Sequence, residues 1–354
     1  MLLNALSVIS ALLIGFAAHR ASLCNVRAVA EMMTTGSAHM LWSLLQAVLW
    51  MATLTGVLVL GFGLVPQPTI ARMAVGWALL GGWLFGIGAA VNGGCSLSTL
   101  HRLADGDRGM LATLAGFALG VAGWPMFRAT GWPDGLAPVT SPWLRWPDLA
   151  PWLLALLLAW ALLRLRWFMQ LARRHGQASW HERLLAPAYH LSVASAVMGL
   201  AGGLLYATQG AWSYTNFLRT EVTHRLGDAV APTPWHALLV ACLLTGMVAS
   251  ALQRGSLVWR WPDRRVTWAR HAAGGALMGA GAVMVPGGND TRLLNGLPTL
   301  TAVAAGTYAF MLIGIAAVIW IMRLARMPMS EIACTSSGCK EANPLPPGRS
   351  APDV

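Results

Sequence analysis

Two stretches of 24 residues, Met40–Gly63 and Thr299–Met322, contain no charged side chain at all. A backbone surrounded by hydrocarbon must satisfy its own N–H and C=O groups, and about 20 mostly apolar residues in a helix do this while crossing a bilayer. Seven further runs have the same character. Nine spans are therefore expected, near 2–18, 40–63, 73–92, 109–128, 149–168, 189–207, 235–253, 271–287 and 299–322. Charged residues make up 10% of the 354-residue chain, against roughly 25% in a soluble domain, and apolar residues make up 56%. That balance excludes a soluble globular enzyme and excludes intrinsic disorder. The fold class is an all-α polytopic membrane protein, with the lipid bilayer as its solvent.

The basic residues support the count. Arg and Lys that follow spans 1, 3, 5 and 7, together with those of the tail, number 18 of the 24; the opposite side has 6. Cytoplasmic loops are enriched in these residues. The alternation predicts an N-terminus outside and a C-terminus in the cytoplasm, in a bacterial inner membrane. The net charge of +11 lies between long uncharged runs, so it is not a nucleic-acid signal. The run from Leu2 to Ala18 lacks a basic leader and a small-residue cleavage site, and reads as a retained helix. Trp132, Trp143, Trp146 and Trp235 lie in the outer loops and suit an interfacial belt.

The chain repeats itself. Residues 76–100 and 271–294 are both Gly/Ala-rich spans that end in Gly-Gly and a polar residue: Gly93-Gly94-Cys95-Ser96 aligns with Gly287-Gly288-Asn289-Asp290. A fainter match pairs residues 19–26 with 208–215. Spans 1–4 thus pair with spans 6–9, and span 5 connects them. A single connector inverts the second repeat across the membrane, and such repeats place solute sites near the midplane at broken helices. The expected units are a first repeat over 1–128, a connector with a basic inner loop over 129–188, a second repeat over 189–325 and a cytoplasmic tail over 326–354. The Gly/Ala spacing fits helix-packing faces equally well.

Five cysteines in apolar segments make a poor disulfide framework. Cys95 follows a Gly-Gly break within an uncharged stretch from Met73 to Leu100, a pattern expected of a re-entrant segment. A thiol is soft, and suits a sulfur-containing anion better than a hard oxyanion. Cys24 lies in an equivalent break after span 1, and two thiols could form a relay. In the second repeat, Asn289 and Asp290 replace the Cys95–Ser96 pair; Asp290 is expected either in a solvated outer loop or paired, for example with Arg292. Trp212, Ser213, Tyr214 and Thr215 offer N–H and O–H donors. Cys242 lies mid-span without polar company and reads as core. Cys334 and Cys339, in CTSSGC of the tail, have a C-x4-C spacing that could bind a soft metal or carry a persulfide, though two cysteines do not complete a zinc site. The tail beyond Pro344 is Pro-rich. No P-loop, G-x-S-x-G or H-E-x-x-H motif occurs, so no metal and no cofactor is expected.

The segments HRASLC at 19–24, NGGCSLSTLHRLADG at 92–106 and GGLLYATQGAWSYTNF at 202–217 resemble those of the YeeE/YedE family of sulfur transporters. The resemblance covers about residues 5–325. It implies nine transmembrane helices plus short re-entrant helices in an inverted, hourglass-shaped arrangement. It also implies thiols on central loops that pass thiosulfate inward through S–H···S and S–H···O contacts. Cys24 and Cys95 match two family thiols; the third falls at Asn289, where this chain departs. Family members often work beside a sulfur-carrier protein of the TusA type.

The expected function is a permease that moves a small sulfur-containing anion inward past Cys24, Gly93, Gly94, Cys95, Ser96, Trp212, Ser213, Asn289 and Asp290. Two rivals are a membrane sulfurtransferase or thiol oxidoreductase with Cys334 and Cys339 as acceptors, and a membrane subunit that recruits a sulfur carrier.

Overall fold

The computed structural model describes residues 2–63, 72–123, 137–138, 141–174, 189–227, 230–262, 264–326, 331–335 and 338–342. It is built of helices: α1 (Leu2–Ala21), α2 (Asn25–Thr35), α3 (His39–Phe62), α4 (Val75–Asn92), α5 (Ser96–Ala104), α6 (Gly109–Ala122), α7 (Pro142–Arg145), α8 (Ala150–Arg174), α9 (Leu191–Gln209), α10 (Tyr214–Arg225), α11 (Pro234–Arg254), α12 (Arg265–Met284), α13 (Asn289–Thr291) and α14 (Ala302–Leu324). A π-helical turn, Arg292–Gly296, continues α13. Two short strands, β1 (Arg72–Met73) and β2 (Ala137–Pro138), pair antiparallel, and a hairpin of β3 (Glu331–Thr335) and β4 (Gly338–Ala342) follows the last helix.

Each expected span has a helix. Seven helical segments among the described residues are long and apolar enough to cross a membrane. The other two differ for visible reasons. Helix α6 is shorter, and residues 124–128 of its expected span lie outside the described residues. Helix α12 starts at Arg265 rather than His271 because Arg265 and Arg270 occupy its first turns, where long side chains can reach toward water while the stem stays apolar.

The packing pattern is nearly unchanged when the two halves are exchanged. Helix α6 packs on α12 and its counterpart α14 packs on α4; α1 packs on α11 and its counterpart α9 packs on α3; α1 also meets α9, and α4 meets α12. The short helices follow the rule: α2 lies against α14, and α10 against α6. Helix α8 stands apart, touching chiefly α3. Its Trp152, Leu156, Leu162 and Leu163 are at least 60% exposed, a surface that suits lipid and not water.

Small residues set the helix spacing. A Cβ added to Gly275 would lie 2.1 Å from the Thr113 carbonyl oxygen, and one added to Gly279 would lie 2.1 Å from that of Phe117. Backbones in contact maximise van der Waals attraction where lipid removes the hydrophobic drive for helix association. The second use of glycine is at the breaks. Gly93 (φ 77°) ends α4 and Gly287 (φ 105°) follows α12, both in the left-handed region that a side chain disfavours. The Gly/Ala pattern thus serves packing and turning alike.

Candidate functional site

Four short helical segments begin at the centre. Cys24, Cys95, Ser213 and Gly288 are the N-cap residues of α2, α5, α10 and α13. Side-chain contacts show how these starts meet. Cys24 and Cys95 lie in the same buried cluster, close enough to influence each other electrostatically; both are free thiols, and they are 3% and 1% exposed. Ser96 donates its hydroxyl to Asn289 Oδ1, and its backbone N–H lies 3.3 Å from the same oxygen. Tyr214 donates to the Ser96 carbonyl. The segments around residues 96, 214 and 289 therefore join at this polar centre.

Asp290 takes Thr215, not Arg292, as its partner. It is buried, not in a solvated loop. Its oxygens accept from the Thr215 N–H (3.1 Å) and the Thr215 hydroxyl, and the Ser96 hydroxyl is 3.4 Å away. Thr215 Oγ1 in turn accepts from the Gly288 N–H at 2.7 Å. Arg292 turns away and donates to the carbonyls of Val285 and Pro286. A buried carboxylate needs several donors to remain in place, and here one threonine supplies two. Ser213 bonds the Thr291 hydroxyl, and Trp212 gives its carbonyl to Asn295 Nδ2 at 3.1 Å.

Of the expected residues, Cys24, Cys95, Ser96, Asn289, Asp290, Trp212 and Ser213 are all buried around this centre. Gly94 is buried and Gly93 exposed, at the turn that delivers Cys95. A cleft of about 170 Å³ is lined by Trp212, Ser213, Asn216, Phe217, Thr220 and His236, among others. It reaches the second-repeat side of the centre and stops at Trp212 and Ser213. The thiols lie beyond it, closed over by protein.

Among the described residues, buried donors at the centre without a protein partner include Asn25 Nδ2, Trp212 Nε1 and Arg292 Nε. Asn25, the residue after Cys24, is 1% exposed; its Oδ1 accepts from Tyr308 at 3.1 Å, while its Nδ2 is unpaired. Trp212 Nε1 is also buried and unpaired. An unmet buried donor costs about 1–3 kcal/mol, so such groups mark a place for a ligand or water. Asn25 was not among the residues expected from sequence. Its signal was its place, one residue past a candidate thiol at a helix start. With α2, α5 and α10 all beginning here, their positive dipole ends add to the donor field. The arrangement offers thiols, amide and indole N–H groups, and helix N-termini to a small anion.

Cys242 is half-buried among apolar neighbours. The backbone register of the hairpin sets Cys334 opposite Cys339, and β3 lies against α2.

At the far end of α5 lies a second polar cluster. Asp105 accepts from His19 Nε2 (3.1 Å), His101 Nε2 (3.2 Å) and Ser256 Oγ (2.6 Å). Burial raises the Asp105 carboxyl, but hydrogen bonds from His101, His19 and Ser256 outweigh it and hold the group below the ordinary carboxylate range.

Residues 20–317 match the family described as sulphur transport. The thiosulfate transporter TsuA of Spirochaeta thermophila is 24% identical over 275 residues, covering 69% of this chain and 77% of that protein. With the family match spanning most of its length, including every residue of the thiol centre, the chain belongs to the sulphur transport (YeeE/YedE) family.

Proposed function

We propose that this protein is a permease of the bacterial inner membrane that carries thiosulfate, or a closely similar sulfur-containing anion, into the cytoplasm. The observation that carries the reading is the proximity of two free thiols, Cys24 and Cys95, at the starts of two helices beside an unpaired amide donor. The anion enters by the cleft at Trp212 and Ser213, crosses the Asn289–Asp290–Ser96 junction as this parts, and passes from Cys95 to Cys24. Its sulfane sulfur meets the thiols through S–H···S contacts, and its oxygens meet N–H and O–H donors. Asn289 takes the place of a third thiol with an amide, which supplies N–H to an oxyanion. The two repeats are read as inverted about the membrane plane, with the N-terminus outside and the tail in the cytoplasm, where a sulfur-carrier protein would receive the cargo.

The test is uptake of radiolabelled thiosulfate by the purified chain in liposomes. Uptake that saturates and is blocked by unlabelled thiosulfate is the expected result. Absence of uptake by this chain alone, with uptake restored by an added sulfur-carrier protein, would favour the recruiting-subunit reading. One observation keeps the sulfurtransferase reading in view: the backbone register pairs position 334 with position 339, both cysteines, in a hairpin whose first strand lies against α2. It requires a covalent persulfide on a tail cysteine during turnover.

A further inference from the structure

A dianion entering a cell moves against the inside-negative potential twice over. Accumulating it needs two compensating positive charges, or chemical removal once inside. The centre described above holds no group that takes up two protons. The cluster at the far end of α5 does.

His19, at the end of α1, is fully buried. Its Nε2 faces Asp105 and its Nδ1 lies 2.8 Å from Ser250 Oγ on α11. His101 presents its Nε2 to the other carboxylate oxygen of Asp105, and the two imidazole rings are 4.2 Å apart. One carboxylate thus sits between two imidazoles, and each imidazole has room for one additional proton. Ser250 either donates to or accepts from His19 Nδ1, so both states of that ring keep a partner. Helix α5 runs from Cys95 to Asp105, and the first-repeat thiol Cys24 is five residues beyond His19. The cluster also fastens the halves together. The Val258 N–H donates to the Asp105 carbonyl, the Arg260 N–H to the Gly106 carbonyl, and Arg254 to the His19 carbonyl.

We propose that His19, Asp105 and His101 form the proton-binding site of an H⁺-coupled importer, taking two protons for each dianion. This rests on the reading of the chain as an importer of such an anion. In the closed arrangement both rings are shielded from water, with side-chain exposures of 0% for His19 and 12% for His101. When the strap between the α5 end and the loop after α11 loosens, water reaches the rings and protons bind. Two imidazoliums on one carboxylate leave a single positive charge facing the descending anion. Release of the anion and its protons to the cytoplasm lets the cluster close. The surrounding charges favour release: Arg20 on α1, Arg27 on α2 and Arg254 on α11 are all cationic. Arg102 on α5 is neutralised by Asp107 at 2.7 Å, and Tyr189 lies by Arg20.

The experiment uses the purified full chain in liposomes with two readouts. Exchange of labelled for unlabelled thiosulfate at equal pH reports translocation itself. Accumulation under an inside-alkaline pH difference, with the membrane potential clamped to zero by potassium and valinomycin, reports coupling. Two protons per dianion predict roughly 100-fold accumulation at equilibrium for one pH unit, tenfold for each proton. His19→Gln and His101→Gln should lower the pH-driven accumulation from roughly 100-fold toward none, measured at equal content of folded protein. Wild-type protein that exchanges thiosulfate but ignores the pH difference overturns the coupling and leaves the transport reading standing. Absence of exchange by the wild type removes both. If a variant fails to fold, the wild-type comparison decides alone.

Discussion

Cys24 and Cys95 lie in one buried cluster, close enough to influence each other electrostatically, although 71 residues separate them in the chain. Each begins a short helix, and each follows a long helix that ends in a break. Their proximity brings two soft, polarisable groups together in a buried polar centre. Three consequences for this centre and one for the packing around it are open to measurement.

Replacing Cys24 by Ser should weaken thiosulfate uptake without removing it, because a hydroxyl keeps a donor but lacks the soft match of sulfur. Replacing Cys242 by Ala should leave uptake within about twofold of the parent, in keeping with the small effects of substitutions away from special sites. Growth on thiosulfate as the sole sulfur source checks both.

Asn25→Asp should lower uptake more than Asn25→Ala. The Asp side chain is nearly the same shape, yet it replaces the unpaired donor by an acceptor that repels an anion. Loss of the donor alone should reduce uptake by roughly tenfold, equivalent to about 1.4 kcal/mol of a charge-assisted contact. Tyr308→Phe frees the Asn25 amide to turn and should act in the same direction to a smaller extent. Unchanged uptake in Asn25→Asp would remove this residue from the path.

Thr215→Val deletes the hydroxyl bond to Asp290 and the acceptor for the Gly288 N–H. A buried carboxylate and a buried amide each lose a partner, at a cost of about 1–3 kcal/mol apiece. The purified variant should melt at lower temperature in detergent. Thr215→Ser restores the hydroxyl and should recover most of the loss.

Gly275→Leu drives a side chain into the carbonyl of Thr113. Helices α6 and α12 must separate, and folded protein should fall sharply in a size-exclusion profile. Gly61→Leu, where a Cβ meets nothing within 4 Å, is the matched control and should leave the profile unchanged.

The architecture was legible in the sequence because bilayer physics writes it in one dimension. Uncharged runs give the spans, and arginines alternate between the connecting loops. The Gly-Gly breaks before Cys95 and Asn289 gave the turns, since φ near 77° and 105° at Gly93 and Gly287 suits few other residues. What remained hidden depends on contacts distant in sequence. Asp290 takes Thr215 as its partner across 75 residues, while the adjacent Arg292 turns to backbone carbonyls. No local pattern announces that choice. Asn25 was hidden because an asparagine after a cysteine has no signature until Tyr308 is seen to hold one end of its amide. His19 and His101 stood within the family-like segments, but only the fold brings both onto Asp105.

The central claim is that the buried thiol of Cys95 meets the solute on its way inward. Its most direct test is the initial rate of labelled thiosulfate uptake into liposomes containing the purified Cys95→Ala protein, beside the parent and Cys242→Ala at equal protein content. The account predicts uptake at the protein-free background for Cys95→Ala and a parental rate for Cys242→Ala. A parental rate in the folded Cys95→Ala protein would contradict it.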